Sequence, residues 1–491
     1  MVLSPANLIV FLSDNHARDV MGCAGHPWVK TPAMDALAAE GVLFEQGYTA
    51  SPVCCPARAA LATGRYPSET HYWDNALAYD GRVPSWMRRV REQGHEVVSI
   101  GKLHFRGGDD YGFSEEILPM HLHAGKGAVR QLLRGYDAEQ ARESSAFYDL
   151  YAKRSGEGHT AYQDYDADIT RAAQDWLGAH SAPGGKPWVL FVSWISPHPP
   201  FTVPKRLLDL YPVEQMPLPP GWQGEGWAAH PAYRHLRRLE RLPDEMDPDM
   251  LRQVAAGYFG LISHLDEQLG KVMETVRTLG LDRTTRLLYT SDHGELFGAH
   301  GLFGKKVLYD ASAGVPMIVA GPGLPKGARR AAPVSHVDLF PTVLEAVGAT
   351  PAAEDASLHG RSLWGPAAGA ENADRPVFAE YHAHGSPAGA FMLRQGRWKL
   401  IHYVGLPPQL FDIVADPQEL HDLAGQPQHT ALTASLQEAL RRFCDPEAAD
   451  AAAKADQRAR VEELGGRDAV LAEQLILFSP PPGQELEKTP N

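Results

Sequence analysis

The chain has 491 residues, of which 44% are hydrophobic and 22% are charged. This is typical of a soluble globular protein with room for a large core and a second, smaller unit. A formal net charge of -14, without a dominant basic stretch, argues against a nucleic-acid-binding protein. An anionic substrate would therefore need a local basic pocket. Four cysteines provide no disulfide framework, which favours a reducing compartment.

The N-terminus lacks a basic segment, and the first apolar run, residues 8–12, is too short for a signal peptide or a membrane span. We therefore expect a cytoplasmic enzyme with no membrane partner, unless an export signal has been removed.

Short apolar runs predict buried parallel strands, with helical patterns between them. The strands are expected at residues 8–12, 97–100, 188–194, 286–290 and 315–320, and the helices at residues 34–40, 83–93, 169–177 and 251–279. Strands that alternate with helices indicate an α/β sheet covered by helices on both faces.

The pattern changes from about Arg375. Short strands are expected at residues 377–381, 390–394, 399–403 and 409–412, followed by a helix at residues 432–443. This favours an antiparallel α+β subdomain. We divide the chain into a catalytic domain (1–375), a C-terminal α+β subdomain (376–445) and a C-terminal arm (446–491). Residues 121–163 are interpreted as an insertion near the active site.

Polar residues directly follow four of the predicted strands. Open α/β sheets place their sites beyond the carboxyl ends of the strands. The sequence therefore predicts that four separate segments deliver polar groups to one edge of the sheet. These groups are Asp14 and Asn15, Lys102, His198, and Asp292 and His293.

The most specific stretch is residues 51–65. Residues 51–58 read Ser-Pro-Val-Cys-Cys-Pro-Ala-Arg, and residues 62–65 read Ala-Thr-Gly-Arg. The pattern Cys-x-Pro-x-Arg followed by Thr-Gly-Arg resembles the signature of the sulfatase family, in which the first cysteine is oxidised after translation to formylglycine, an aldehyde. The resemblance implies that Cys54 is modified, that Cys55 fills the variable position, and that formylglycine-generating machinery is a partner.

A hydrated aldehyde suits the hydrolysis of sulfate esters because it has two hydroxyl groups on one carbon. One hydroxyl can attack the sulfur, and the other can then collapse to the aldehyde and expel sulfate, so no water need attack the covalent intermediate. Pro56 and Ala57 lead into a helix start, where backbone N–H groups favour an anion. Arg58 would offer its guanidinium to the nucleophile or to a sulfate oxygen.

The polar groups at two strand ends indicate a metal site. The resemblance implies one divalent ion held by Asp14, modified Cys54, Asp292 and His293, with Asn15 as a further candidate. Oxygen ligands suit Ca²⁺, and one imidazole also admits Mn²⁺. Many sulfatases have a second Asp in place of Asn15, but choline-sulfatase-like and phosphonate-monoester-hydrolase-like members have an amide there.

Basic groups complete the resemblance. Residues 101–104 resemble the Gly-Lys-x-His element of the family, residues 196–200 its Pro-His-x-Pro loop, and residues 292–305 its second signature. Each basic group has an implied role: Lys102 and Lys305 hold sulfate oxygens, His198 assists the leaving group, and His104 helps to break down the sulfated intermediate.

Other side chains are candidates for contact with the substrate. Asn75 follows the signature helix and would contact the substrate anion or, alternatively, form part of a structural turn. We interpret Lys306 as a solvated surface charge. Candidates for the specificity pocket are Trp73, Tyr79, His121, His123, Tyr381 and His382.

The resemblance covers most of residues 8–425 and implies the fold of the alkaline phosphatase superfamily. That fold is α/β, with a large mixed, mostly parallel sheet flanked by helices and a smaller C-terminal antiparallel α+β subdomain. The implied activity is hydrolysis of sulfate monoesters, as in arylsulfatases.

Two alternatives stay open: a phosphonate monoester or phosphodiester hydrolase on the same scaffold, and an inactive anion-binding relative. Phosphonate-cleaving relatives tend to have Tyr and Thr in place of Lys102 and His104, which favours the sulfatase. Activity on both substrate classes is nevertheless expected.

The C-terminal arm predicts a homo-oligomer. Its apolar residues 469–471 and 475–478 would form an exposed patch in water, and such patches usually mark contacts. Relatives of the choline sulfatase and phosphonate hydrolase kind also assemble through C-terminal extensions. We expect a dimer, or else a tetramer, with the arm in the interface. The alternative is that the arm packs on its own subunit.

Overall fold

The computed structural model describes residues 3–135, 144–182, 184–223, 230–370, 372–473, 476 and 479–485. Its α-helices are α1 (Pro32–Ala39), α2 (Cys54–Thr63), α3 (Pro67–Thr70), α4 (Trp86–Glu92), α5 (Ala146–Ala152), α6 (Ala161–Ala179), α7 (Lys205–Leu208), α8 (Pro231–Leu239), α9 (Pro248–Thr278), α10 (Asp310–Ala313), α11 (Leu339–Val347), α12 (Trp364–Ala367), α13 (Thr430–Leu440), α14 (Pro446–Glu463) and α15 (Arg467–Ala472).

Its strands are β1 (Asn7–Ser13), β2 (Gly41–Phe44), β3 (Gly47–Tyr48), β4 (Val97–Lys102), β5 (Glu115–Met120), β6 (Gly156–Glu157), β7 (Val189–Ser193), β8 (Thr202–Val203), β9 (Thr285–Ser291), β10 (Met317–Ala320), β11 (Ala328–Arg330), β12 (Val334–Ser335), β13 (Val377–Tyr381), β14 (Ala390–Gln395), β15 (Trp398–Tyr403) and β16 (Leu406–Asp412). A strand or a helix thus lies at each position where the sequence predicted one.

The central sheet has the strand order β11-β2-β10-β9-β1-β7-β4-β5. β1 pairs in parallel with β7 and β9, and β4 pairs in parallel with β7 and β5. The expectation that the strand at residues 315–320 is parallel is wrong, because β10 pairs antiparallel with β9 and β2. The chain leaves β9 at the carboxyl edge of the sheet and re-enters from that same edge, which reverses its direction. The sheet is therefore mixed but mostly parallel.

Helices cover both faces of the sheet. Leu8 and Val10 of β1 belong to a core that includes α4 and α11, whereas Ile9 and Phe11 belong to a second core that includes α6 and α9. Burial on both faces explains why β1 is an unbroken apolar run and not an alternating pattern. No helix among the described residues combines the length and apolar character needed to cross a membrane.

A small antiparallel sheet follows in the order β13-β14-β15-β16. Helix α13 packs on it through Leu436 and Leu440, which meet Phe391 and Leu400 of the sheet. This is the smaller C-terminal sheet that the sequence predicted.

The described part of the C-terminal arm packs on its own chain. Arg134, in the 3-10 helix Val129–Gly135, forms a buried ion pair with Asp450 of α14. Val470 of α15 packs with Leu132 of that 3-10 helix. These contacts follow the alternative expectation for the arm, and the homo-oligomer stays a prediction. Part of the second apolar run lies outside the described residues, namely Leu475, Leu477 and Phe478.

A buried ion cluster joins the small sheet to the segment that follows β9. Lys399 of β15 is fully buried, and its Nζ lies 2.6 Å from Asp310 Oδ1 and 2.7 Å from Glu419 Oε1. On the other side, Arg18 Nη2 lies 2.7 Å from Asp310 Oδ2. Because a buried charge is costly unless it is paired, each of these four groups depends on the others.

Replacement of Lys399 tests this dependence. In Lys399→Met, Asp310 and Glu419 stay buried without their shared cation, and we expect the free energy of unfolding to fall by about 3 kcal/mol. Urea denaturation measures the change. The control is Lys326→Met, which removes an exposed lysine paired with Glu40 and should change the value by less than about 1 kcal/mol. Equal effects of the two changes would contradict the prediction.

Candidate active site

The signature cysteine is the first residue of α2. Val53 before it is extended, and Cys54 itself is buried. Its Sγ lies 3.3 Å from His293 Nε2, 3.4 Å from Lys305 Nζ and 3.8 Å from Asp14 Oδ1. The N-terminus of α2 thus delivers the thiol to the carboxyl edge of the central sheet.

The register of β1 against β9 brings the two carboxylates of the site together. Ser13 pairs with Ser291, so Asp14 and Asp292 follow at the same level of the sheet. The ligand atoms of Asp14, Cys54, Asp292 and His293 all lie within 4.8 Å of one another, and all four residues are buried. The structure therefore gathers the four ligands that the resemblance implied.

The donor set of this cluster fits a divalent cation. His293 Nδ1 lies 3.0 Å from the Gly294 carbonyl oxygen, which can only accept, so Nδ1 carries the hydrogen and Nε2 is left as a ligand. Burial and the neighbouring Asp14 carboxylate raise the pKa of Asp292 to about 6. A cation at this point would relieve the repulsion between the two carboxylates and stabilise both as anions.

Asn15 lies beside the cluster with a left-handed backbone conformation (φ 72°). Its Nδ2 donates to Glu295 Oε2 at 2.6 Å, and its Oδ1 accepts from Lys305 Nζ at 2.8 Å. The sequence analysis missed Glu295, which is fully buried and also accepts from the Gly304 amide at 2.5 Å. Its position two residues after His293 was the signal available.

Arg58 lies behind the carboxylates. Its Nε donates to Asp292 Oδ2 at 2.9 Å, and its Nη2 donates to Asp14 Oδ2 at 3.1 Å. Its Nη1 donates to the Lys102 carbonyl oxygen at 2.6 Å. These contacts hold both carboxylates in place, while contact of Arg58 with the sulfate stays a prediction.

Two lysines bring positive charge to the same cluster. Lys102, at the end of β4, places Nζ 2.6 Å from Asp14 Oδ2, and Lys305 Nζ lies 3.9 Å from Asp14 Oδ1. Burial alone would raise the pKa of Asp14, but the charge of Lys102 and of its cationic neighbours outweighs burial and holds the pKa well below its usual value. Asp14 is therefore ionised at neutral pH.

Both predicted histidines line the pocket above Cys54. His198 Nδ1 lies 2.7 Å from the Pro199 carbonyl oxygen and so carries a hydrogen, which leaves Nε2 as the second ring atom. Burial and the charge of Lys305 lower the pKa of His198 well below its usual value. Burial and the charge of Lys102 do the same to the pKa of His104. Both imidazoles are thus uncharged at neutral pH.

Asn75 and Cys55 meet beside the nucleophile. The Cys55 amide donates to Asn75 Oδ1 at 3.0 Å, and Asn75 lines the pocket. Cys55 Sγ points to the His104 carbonyl oxygen at 3.2 Å, and Cys55 does not line the pocket. Of the two adjacent cysteines, Cys54 alone lies at the reacting position.

The expectation that Lys306 is a solvated surface charge is wrong. Lys306 lines the pocket, its Nζ pairs with the buried Glu240, and the ammonium lies 3.6 Å from the centre of the Phe147 ring. Its location next to Lys305 decides this, since the same loop carries both side chains to the pocket.

The pocket wall differs from the candidates taken from the sequence. Tyr381 lines it, whereas Trp73, Tyr79, His121, His123 and His382 do not. Lining residues that the sequence analysis missed come from distant segments, among them Phe147, Tyr151, Glu240, His384 and Ser479.

Comparison with known proteins identifies the family of the chain. Residues 6–349 match the family model described as Sulfatase, and residues 298–445 match the one described as N-sulphoglucosamine sulphohydrolase, C-terminal. The choline-sulfatase of Rhizobium meliloti (strain 1021) is 30% identical over 476 residues, which cover 94% of this chain and 91% of that protein. Arylsulfatase K of Danio rerio is 28% identical over 441 residues, covering 86% and 80% of the two chains.

A solved structure resembles most of the chain. The phosphonate monoester hydrolase of Agrobacterium radiobacter superposes with a TM-score of 0.72 at 27% identity, covering 89% of this chain and 95% of that chain. The family match spans well over half of this chain, and the relatives match along nearly all of it. The chain belongs to the sulfatase family and is a sulfuric ester hydrolase.

Proposed function

We propose that the enzyme hydrolyses sulfate monoesters with Cys54, oxidised to formylglycine, as the nucleophile. The observation that carries the proposal is the position of Cys54 Sγ within the Asp14–Asp292–His293 cluster and 3.4 Å from Lys305 Nζ. A nucleophile at this point can meet the sulfur of an ester whose sulfate oxygens face the cations of the site.

One divalent ion, Ca²⁺ or Mn²⁺, would be held by Asp14, the modified Cys54, Asp292 and His293, with Asn15 as a further candidate. Oxygen donors with one imidazole suit either ion. When bound, the ion supplies Lewis-acid polarisation of the sulfate and of the nucleophile oxygen. Arg58 keeps the two ligand carboxylates in register from behind.

The basic side chains bind the sulfate group and transfer protons. Lys102 and Lys305 hold sulfate oxygens, which offsets the charge that develops there. His198 assists the leaving alcohol oxygen. Its imidazole is uncharged in the free enzyme, with Nδ1–H donating to the Pro199 carbonyl oxygen, so Nε2 takes up a proton when the anionic substrate binds and passes it to that oxygen. His104 accepts a proton in the step that releases sulfate.

The proposal also covers the substrate class, the cellular location and the machinery that modifies Cys54. The wall of the pocket is largely apolar and aromatic, with Phe147, Tyr151 and Tyr381, which suits an aryl sulfate. A cytoplasmic location is supported by the four cysteines, none of which forms a disulfide in the described structure. The formylglycine-generating machinery is then a required partner.

A phosphonate monoester hydrolase is the second candidate, supported by the superposition on the Agrobacterium radiobacter enzyme at 27% identity. Lys102 and His104 favour the sulfatase, because a second cation beside the nucleophile matches a sulfate group that carries three outer oxygens. The rates on an aryl sulfate and an aryl phosphonate monoester decide between the two functions.

The nucleophile is tested by replacing each adjacent cysteine. We expect Cys54→Ala to lower kcat/KM for an aryl sulfate by on the order of 10³-fold or more, because the attacking group is lost. Cys55→Ala is the matched control and should be mild, since its thiol points to a backbone oxygen of His104 and does not line the pocket. Peptide mapping should show an aldehyde at position 54. Full activity in Cys54→Ala would exclude this nucleophile.

The metal is tested by elemental analysis of the purified protein. We expect one divalent ion per chain, and Asp292→Ala should lose the metal and the activity together, because a central ligand is removed. The control is Asp266→Ala, which removes a buried carboxylate that caps α1 and is not one of the four clustered residues. Two tightly bound transition metals per chain would indicate a two-metal phosphatase instead.

Specificity is tested by replacing Lys102 with Tyr and His104 with Thr together. The ratio of kcat/KM for an aryl sulfate to that for an aryl phosphonate monoester should fall by about tenfold, because a cation beside Asp14 is removed. Steady-state kinetics on both substrates measure the ratio. A ratio that stays the same would mean that other pocket residues set the preference.

A further inference from the structure

The C-terminal arm returns to the active-site pocket. Leu471, Ile476 and Ser479 line the same pocket as Cys54. The preceding helix α14 is anchored beside the pocket, because Gln457 Nε2 donates to Asp74 Oδ2 and to the His382 carbonyl oxygen, each at 2.9 Å. Buried hydrogen bonds of Gln457 therefore hold the arm next to the pocket.

Ser479 contacts one of the predicted catalytic histidines. Its Oγ lies 3.2 Å from His104 Nε2, and the two residues are 375 positions apart in the sequence. Both side chains are buried. His104 Nδ1 has no hydrogen-bond partner within the described part of the chain. Among the described residues, the hydroxyl of Ser479 is thus the hydrogen-bond partner that orients the imidazole of His104.

Ser479 is itself held in place. The hydroxyl of Tyr162, on α6, donates to the Ser479 carbonyl oxygen at 2.7 Å. The ring of Tyr162 packs edge-on against His198, with ring centres 5.9 Å apart. One side chain of α6 therefore fixes the backbone of the arm and packs on the second catalytic histidine.

The hydrogen bond decides which ring nitrogen of His104 is a base. A neutral imidazole has one N–H and one lone pair, and a serine hydroxyl can pair with either. If Nε2–H donates to Ser479 Oγ, the lone pair lies on Nδ1, the ring atom that lacks a protein partner. In the opposite tautomer Nδ1 carries a hydrogen and cannot accept a proton.

We propose that Ser479 is a positioning residue that accepts a hydrogen bond from His104 Nε2 and so keeps the lone pair of Nδ1 available to accept a proton. The inference rests on the proposed role of His104 in the release of sulfate. It gives the C-terminal arm a part in the reaction within its own subunit.

The kinetic test compares Ser479→Ala, Ser479→Thr and His104→Ala in the full-length enzyme with an aryl sulfate. In Ser479→Ala we expect kcat to fall by about 10- to 100-fold while KM does not rise, because the step that releases sulfate becomes slow. Rapid mixing should then show a burst of about one aryl alcohol per active site before the slow phase. Ser479→Thr keeps a hydroxyl and should restore kcat.

A spectroscopic measurement complements the kinetics. With ¹⁵N-labelled histidine, the signals absent from the spectrum of His104→Ala identify that imidazole. In the wild type its Nε2 should show the shift of a protonated nitrogen and its Nδ1 that of an unprotonated nitrogen, and Ser479→Ala should mix the two forms. Circular dichroism establishes that each variant is folded, and the wild-type spectrum tests the tautomer even if Ser479→Ala does not fold.

The outcomes separate this inference from the function on which it rests. Wild-type kcat in Ser479→Ala together with a slow His104→Ala would overturn the role of Ser479 and leave the proposed function standing. Wild-type kcat in His104→Ala would overturn both roles. A rise in KM without a burst in Ser479→Ala would mean that the arm only shapes the pocket, and would also overturn the inference.

Discussion

The parallel pairing of β1 with β9 is the constraint on which the site depends. Ser13 lies opposite Ser291, so two buried aspartates leave the sheet at the same level. Two carboxylates this close in a dry environment repel each other and lose their hydration, and nearby cations are needed to offset that cost. Arg58, Lys102 and Lys305 meet that requirement from three other segments.

The need for balanced charge also explains the neutral histidines. The net charge of the chain is -14, yet the pocket concentrates lysines around Asp14. Burial next to these cations makes a further positive charge unfavourable, so His104 and His198 stay uncharged. Neutral imidazoles can accept or pass on protons, whereas lysine side chains are suited to binding an anion. The same local field thus suits the lysines to the binding role, and the histidines to the proton-transfer role, that we propose for them.

The small C-terminal sheet and the C-terminal arm both contact segments that surround the site. Lys399 connects the small sheet to Asp310, which follows the loop that carries His293 and Lys305. The arm contacts His104 at the pocket through Ser479. Segments that contribute none of the candidate nucleophile or ligand residues therefore contact the residues and loops that surround the site.

The sequence by itself determined the elements of the α/β sheet and the residues that follow its strands, because burial on both faces leaves unbroken apolar runs and a short motif specifies Cys54. The antiparallel direction of β10, the pairing of Lys306 with Glu240, and the contacts of Glu295 and Ser479 were decided only by the tertiary structure. Each of these depends on the path of the chain between distant segments. Local periodicity reports which residues are buried, but it carries no information about which buried groups meet.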